Sequence, residues 1–96
     1  MVDLEKLRSL RKGDRLMIDG HAYTVTGVTG DAVAAGKDYV SVFQFWMRRD
    51  DDQKDFMLHV PQEEDREDMI VLHRVVHSHL GSVMNVPIRF RKFELA

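Results

Sequence analysis

The sequence predicts a small, mostly β domain that begins with one short helix. Two observations predict this fold class: short segments alternate apolar and polar residues, and glycine, proline and aspartate turns separate these segments at close intervals. A chain of 96 residues with 44% hydrophobic content fits a single domain with one core. We therefore expect residues 1–96 to form five or six antiparallel strands in a strongly bent sheet or a partly open barrel.

The helix is predicted over residues 4–11. Leucines recur every three residues from Leu4 to Leu10, Asp3 is a good N-terminal cap, and Gly13 stands where the helix would stop. We expect this helix to lie across one open end of the sheet.

Turn residues divide the rest of the chain into strands. Asp19-Gly20 is a strong two-residue hairpin signal, and Gly27, Gly30 and Gly36 indicate bends, with residues 31–35 either a brief strand or a loop. The predicted strands are 15–19, 22–28, 38–48, 55–60, 69–76 and 86–95, with a bulge near Arg91 and Lys92.

Residues 62–80 support two interpretations. Pro61, the acidic residues that follow it and Gly81 resemble helix boundary signals, which gives an α+β alternative with a helix near 63–79. The β-branched residues between Met69 and Val76 favour a loop followed by a strand instead, and this is the interpretation we prefer.

The strand at 38–48 carries large apolar groups on both faces, which a thin domain covers with difficulty. One face therefore predicts a surface for a protein partner or for self-association, with these candidates: Tyr39, Phe43, Phe45, Met47 and Met57. The expected inward positions are Leu16, Ile18, Tyr23, Val25, Val40, Val42, Trp46, Leu58 and Phe90.

Charge is unevenly distributed along the chain. Residues 50–68 hold nine acidic and two basic residues, a local charge of −7 within a net charge of −2, so the remainder carries +5. We expect the acidic run to form solvated loops. Basic residues outside it are candidates for nucleic-acid contact: Lys37, Arg89, Arg91, Arg11 and Lys12.

Catalytic and cofactor motifs are absent from the sequence, which contains no nucleophile elbow, phosphate-binding loop or dinucleotide-binding glycine motif. No catalytic residue and no cofactor are therefore predicted. Three histidines lie close together, His73, His77 and His79, and they are the candidate metal ligands on either a helix or a strand.

Residues 12–37 resemble small barrels of the Src-homology-3 type. The pattern runs from Lys12-Gly13-Asp14 through Asp19-Gly20 to Tyr23-x-Val25-x-x-Val28. Among such barrels it is similar to the N-terminal domain of elongation factor P, in which a glycine-flanked lysine at a loop tip reaches toward transfer RNA. The resemblance implies a barrel and makes Lys37 the corresponding candidate, although Asp38 replaces the glycine expected after that lysine.

These observations favour a noncatalytic interaction module that binds a protein partner or self-associates. The alternatives are an RNA-binding or translation-associated barrel and a metal-dependent enzyme that uses the histidine cluster. A cytoplasmic location without membrane contact is expected, because the chain lacks cysteine, a signal-peptide pattern and an apolar run of the ~20 residues that span a bilayer.

Overall fold

A computed structural model describes residues 3–88 and the backbone of residues 93–95. Within them the chain forms one antiparallel sheet and one short α-helix, as predicted. The elements are α1 (Leu4–Arg8), β1 (Arg15–Ile18), β2 (His21–Ala35), β3 (Asp38–Arg49), β4 (Asp55–Pro61), a 3-10 turn (Glu67–Met69), β5 (Val71–His77), β6 (Val83–Ile88) and β7 (Phe93–Leu95). The sheet order is β6-β5-β4-β3-β2-β1-β7.

The hairpin between β1 and β2 turns at Asp19 and Gly20. Both residues have positive φ, 50° and 83°, as a type I′ turn requires. This turn sets the register in which Ile18 pairs with His21 and Leu16 with Tyr23. The hairpin predicted from the Asp-Gly pair is therefore confirmed.

The hairpin between β2 and β3 is longer than the sequence indicated. β2 continues through Gly27 and Gly30 to Ala35, so the bend predicted at Gly30 is wrong. A register shift between Val25 and Gly27 takes up the irregularity as a bulge. The end of this hairpin projects past β4, whose last pairing with β3 joins Pro61 to Val42.

Residues 62–80 contain no α-helix, so the alternative of a helix near 63–79 is wrong. The single 3-10 turn Glu67–Met69 leads directly into β5, which pairs with β4 from Val71 to Arg74. The β-branched residues adopt a strand instead of a helix because β4 provides hydrogen-bonding partners for an extended backbone.

The sheet curls so that its two edges approach each other. In a flat sheet β6 and β7 would be separated by roughly 29 Å, yet only residues 89–92 connect Ile88 to Phe93, and five peptide steps reach about 18 Å. Ile18 on β1 and Ile88 on β6 also line one cavity of about 210 Å³. The predicted bulge near Arg91 and Lys92 lies outside the described residues.

The main core occupies one face of this sheet. Leucines of α1 cover it, and Phe45, Phe56 and Leu58 are fully buried within it. Five predicted inward residues are confirmed there: Leu16, Ile18, Tyr23, Val25 and Leu58. Val40 and Val42 are buried, as predicted, but Phe45 and Met47, which were expected to face a partner, enter the main core. Side chains alternate along a strand, so Val40 and Val42 are buried on the opposite face. Trp46, on that same face, is only half-buried, and Phe90 lies outside the described residues.

Arg8 fastens α1 to the segment after β4. Its guanidinium donates to the carbonyl oxygens of Pro61 at 2.8 Å and Glu64 at 2.7 Å, and its Nη1 lies 3.3 Å from a carboxylate oxygen of Asp65. The helix ends at Arg8, before the predicted residue 11, where the Ser9 hydroxyl donates to the Lys6 carbonyl. In the described residues, no helix is long and apolar enough to cross a membrane.

Candidate interaction surface

The β5–β6 hairpin forms one edge of the sheet, and the part of it that follows Arg74 carries no formal charge. Residues 75–88 contain no aspartate, glutamate, lysine or arginine, although 31% of the chain is charged. Edge strands of monomeric proteins are usually protected by charged side chains, which discourage pairing with another chain. β6 lacks that protection, apart from Pro87.

Apolar side chains on this hairpin are exposed to solvent. Leu80 at the turn is 92% exposed, and Val83 and Met84 on β6 are 55% and 61% exposed. Val76 and Val86 add further apolar surface beside them. A contiguous group of exposed apolar residues is typical of an interaction site, whereas isolated ones are ordinary.

Along the outer side of β6, main-chain hydrogen-bonding groups point away from β5, and no other described strand pairs with them. Opposed residues in an antiparallel pair alternate between hydrogen-bonded and non-hydrogen-bonded positions. The Ser78 N–H donates to the Ser82 carbonyl at 2.9 Å, which makes this a hydrogen-bonded pair. By alternation His73 and Pro87 form a non-hydrogen-bonded pair, which agrees with the missing N–H of Pro87. In that alternation Val83, Asn85 and Pro87 direct their main-chain polar groups away from β5.

The partner-binding candidates of β3 and β4 do not form this surface. Phe45, Met47 and Met57 are fully buried, so the prediction that they face a partner is corrected. Phe43 is half-buried against the main core. Tyr39, 75% exposed near the end of the β2–β3 hairpin, is the one candidate of the five that is open to solvent.

The predicted nucleic-acid residues are not brought into one patch. Lys37 lies at the tip of the β2–β3 hairpin beside Gly36, whose φ is 67°. Arg11 and Lys12 precede β1, where the Gly13 N–H donates to the Val25 carbonyl at 2.8 Å. Because β2 runs ten residues from Val25 to Ala35, about 30 Å separates these two ends. Arg89 and Arg91 lie outside the described residues.

The three candidate metal ligands also remain apart. His73 and His77 share one face of β5, but His73 packs on the ring of His59 and His77 lies 3.2 Å from a carboxylate oxygen of Asp55. His79 lies in the turn beyond the strand. Among the described residues, no group of three histidine, aspartate, glutamate or cysteine side chains is arranged to hold a metal ion.

A polar network crosses three strands, β2, β3 and β4, on the face opposite the main core, and sequence reasoning missed it. The Trp46 indole donates to the Thr29 hydroxyl, which in turn donates to the Gln44 carbonyl oxygen, both at 2.8 Å. The Gln44 amide lies 3.2 Å from Asp31 and 3.4 Å from His59. Cross-strand register brings these residues together, and their sequence positions alone gave no signal.

Arg49, Tyr23 and Phe56 line the cavity beside the main core and contact one another. The Arg49 guanidinium stacks over Phe56 at 4.8 Å, forms an ion pair with Asp52 and lies beside the Tyr23 hydroxyl. Burial raises the pKa of Tyr23, and the bond from Arg49 lowers the pKa of Asp52. Because Asp52 already engages Arg49, these groups stabilise the β3–β4 turn.

Comparison with protein-family models, with curated proteins and with solved structures gives no match to this chain. The functional argument therefore depends on the geometry of the chain itself.

Proposed function

We propose that this chain is a noncatalytic interaction module that binds a protein partner through the β5–β6 hairpin. One observation carries the proposal: β6 is an uncharged edge strand whose apolar side chains and outward main-chain groups are both accessible. A partner that adds a strand to β6 would satisfy these main-chain groups and bury the apolar side chains at the same time.

Both contributions favour association. Each main-chain hydrogen bond to a partner strand contributes roughly 0.5–1.5 kcal/mol net, and buried apolar area contributes about 25 cal/mol per Å². Val83 and Met84 lie on opposite faces of β6, so a partner strand contacts apolar groups on each side of the sheet. β6 itself carries no charged side chain, and the nearest formal charge on the hairpin is Arg74 of β5, opposite Val86.

Site-specific photo-cross-linking in the native cells tests the proposal. A photoreactive amino acid at Met84 is expected to form adducts with a defined protein, identified by mass spectrometry, whereas the same probe at the exposed Ala34 serves as the matched control. Leu80→Lys and Val83→Lys should abolish the Met84 adducts, because each places a charge in the interface. Adducts to RNA alone, or adducts that survive both substitutions, would contradict the proposal.

RNA binding through the β2–β3 hairpin is the second candidate function. Lys37 at the tip and the exposed Tyr39 beside it offer a cation for phosphate and a ring for base stacking. The resemblance of residues 12–37 to the elongation factor P barrel supports the same region. Asp31 and Asp38 on this hairpin oppose it, and for that reason we rank it second.

Fluorescence anisotropy with transfer RNA and with single-stranded RNA tests this second function. Salt-dependent binding that Lys37→Ala and Tyr39→Ala both weaken supports it, with Lys54→Ala as a control at the other end of β3. Equal affinity of all four proteins, or no binding at low salt, would exclude the hairpin as an RNA site.

A further inference from the structure

We infer that the occupant of the β6 edge is a second copy of this chain, paired antiparallel through β6 about a two-fold axis at Asn85. This inference rests on the proposed function, because it names the partner for the same edge. The resulting dimer would join the two sheets into one continuous sheet.

The main chain of β6 is complementary to itself in this register. Asn85 stands opposite Asn85 of the second copy, and the two residues exchange both of their outward hydrogen bonds. Each Val83 N–H then donates to the Pro87 carbonyl of the second copy. Pro87 lacks an N–H, so it provides only the acceptor that this register uses.

The side chains match as well. On the face of β6 that carries Val83 and Asn85, Val83 lies opposite Pro87 of the second copy, and the two Asn85 carboxamides can donate to and accept from each other. On the other face Met84 lies opposite Val86 of the second copy. Apolar groups thus meet apolar groups and the amide meets an amide.

The neighbouring register is less favourable. If the two-fold axis lay at Met84, Val83 would stand opposite Asn85 of the second copy and Val86 opposite Ser82. Each of these pairs sets an apolar side chain against a polar one, and the amide loses its reciprocal partner. Side-chain matching therefore favours Asn85 over Met84 as the centre.

Charge does not oppose a second copy at this edge. Residues 75–88 carry no formal charge, so bringing two identical hairpins together creates no like-charge repulsion at the axis. The opposite edge of the sheet is β7, described over Phe93–Leu95. Two-fold pairing uses the β6 edge of both copies, so this contact closes at a dimer.

Charge-reversal complementation tests the pairing and its register together. Asn85→Asp and Asn85→Lys each place two like charges opposite each other, and each is expected to weaken self-association by about tenfold or more. An equimolar mixture of the two variants is expected to restore a species of twice the 11.2 kDa chain mass. The same pair of substitutions at the exposed Ala34 is the control and should leave the wild-type dimer intact.

Sedimentation velocity over a range of concentrations gives the mass, and thermal unfolding verifies that each variant is folded. Asn85→Pro provides a second route, because it removes an outward N–H that β5 does not use. A monomeric wild type, a dimer that persists in the single variants, or a mixture that stays monomeric would overturn the inference. A monomer that still cross-links to a different protein at Met84 would overturn this inference and leave the proposed function standing.

Discussion

His59 and His73 meet edge to face on the side of the sheet opposite the main core, with ring centroids 4.8 Å apart. Nδ1 of His73 is buried and has no hydrogen-bond partner in the described structure. Burial lowers the pKa of both imidazoles, and in His59 the nearby His73 lowers it further while Asp31 opposes the shift.

This pair predicts a loss of stability in acid. Below about pH 6.5 the two histidines become protonated in the unfolded chain, whereas in the folded chain their lowered pKa values keep them neutral. The free energy of unfolding therefore decreases as the pH falls, until the pH passes the folded pKa values. His73→Phe should flatten this dependence between pH 7.5 and pH 5, measured as urea midpoints. His79→Gln, in an exposed turn, should keep the wild-type slope. An unchanged slope in His73→Phe would contradict the assignment.

The main core predicts a large effect at Leu58. This side chain is fully buried between the helix and the sheet, so Leu58→Ala should lower the free energy of unfolding by about 2–5 kcal/mol. Leu80→Ala removes the same atoms from a solvent-exposed turn and should have little effect. Thermal or denaturant unfolding measures both. Equal midpoints for the two variants would show that the core face is misassigned.

The two faces of β3 can be distinguished with aspartate. Phe45→Asp places a charge in the main core, where neither a partner nor water reaches it, and should abolish folding. Tyr39→Asp lies on the exposed end of the same strand and should fold normally. Circular dichroism and one-dimensional NMR report the outcome. A folded Phe45→Asp variant would restore the view that this residue faces a partner.

The Asp19-Gly20 turn predicts a backbone effect that is independent of packing. A side chain at Gly20 meets no atom within 4 Å, but its φ of 83° disfavours L residues, so Gly20→Ala should cost about 1–2 kcal/mol. Gly27 is equally open without a positive φ, and Gly27→Ala should be neutral or stabilising. Urea unfolding of both variants gives the comparison, and an equal loss in both would point to a cause other than φ.

The hydrogen bonds of Arg8 predict that a positive charge alone is not enough to attach α1 to the segment after β4. Its fork donates to two carbonyl oxygens that a lysine cannot reach together, so Arg8→Lys should lower stability by about 1–3 kcal/mol. Arg11→Lys is the matched control at a nearby exposed position. Hydrogen exchange of the α1 amides should rise in the Arg8 variant. Unaltered exchange and stability would mean that the buried leucines of α1 attach the helix to the sheet without the Arg8 hydrogen bonds.

Sequence reasoning succeeded where the determinants are local. The Asp19-Gly20 pair specifies its turn through φ, and alternation specifies β4 from Asp55 to Pro61. It failed at β3, because both faces of that strand are apolar and only the neighbouring strands decide which one meets α1. It also failed at Gly30, where pairing with β3 outweighs the local preference for a bend.

The candidate site was missed for a related reason. β6 begins at Val83, three residues before the predicted start, and nothing in its composition indicates that it lies at an edge. The aspartates at the β3–β4 turn lie at the solvated surface, as expected, but the sequence did not predict their ion pairs. They are not free side chains. Instead they contact Arg15, His21 and Arg49, and only the strand register brings those residues within reach.

The strand order has a consequence for synthesis on the ribosome. From β1 to β6 each strand pairs with its predecessor in sequence, so hairpins can form in turn as the chain emerges. β7 is different, because it pairs with β1, whose outer side stays bare until residues 93–95 have been made. At about 5–20 residues per second, this delay lasts several seconds. During that interval the nascent chain exposes a second unpaired edge, at which a neighbouring nascent chain could add a strand.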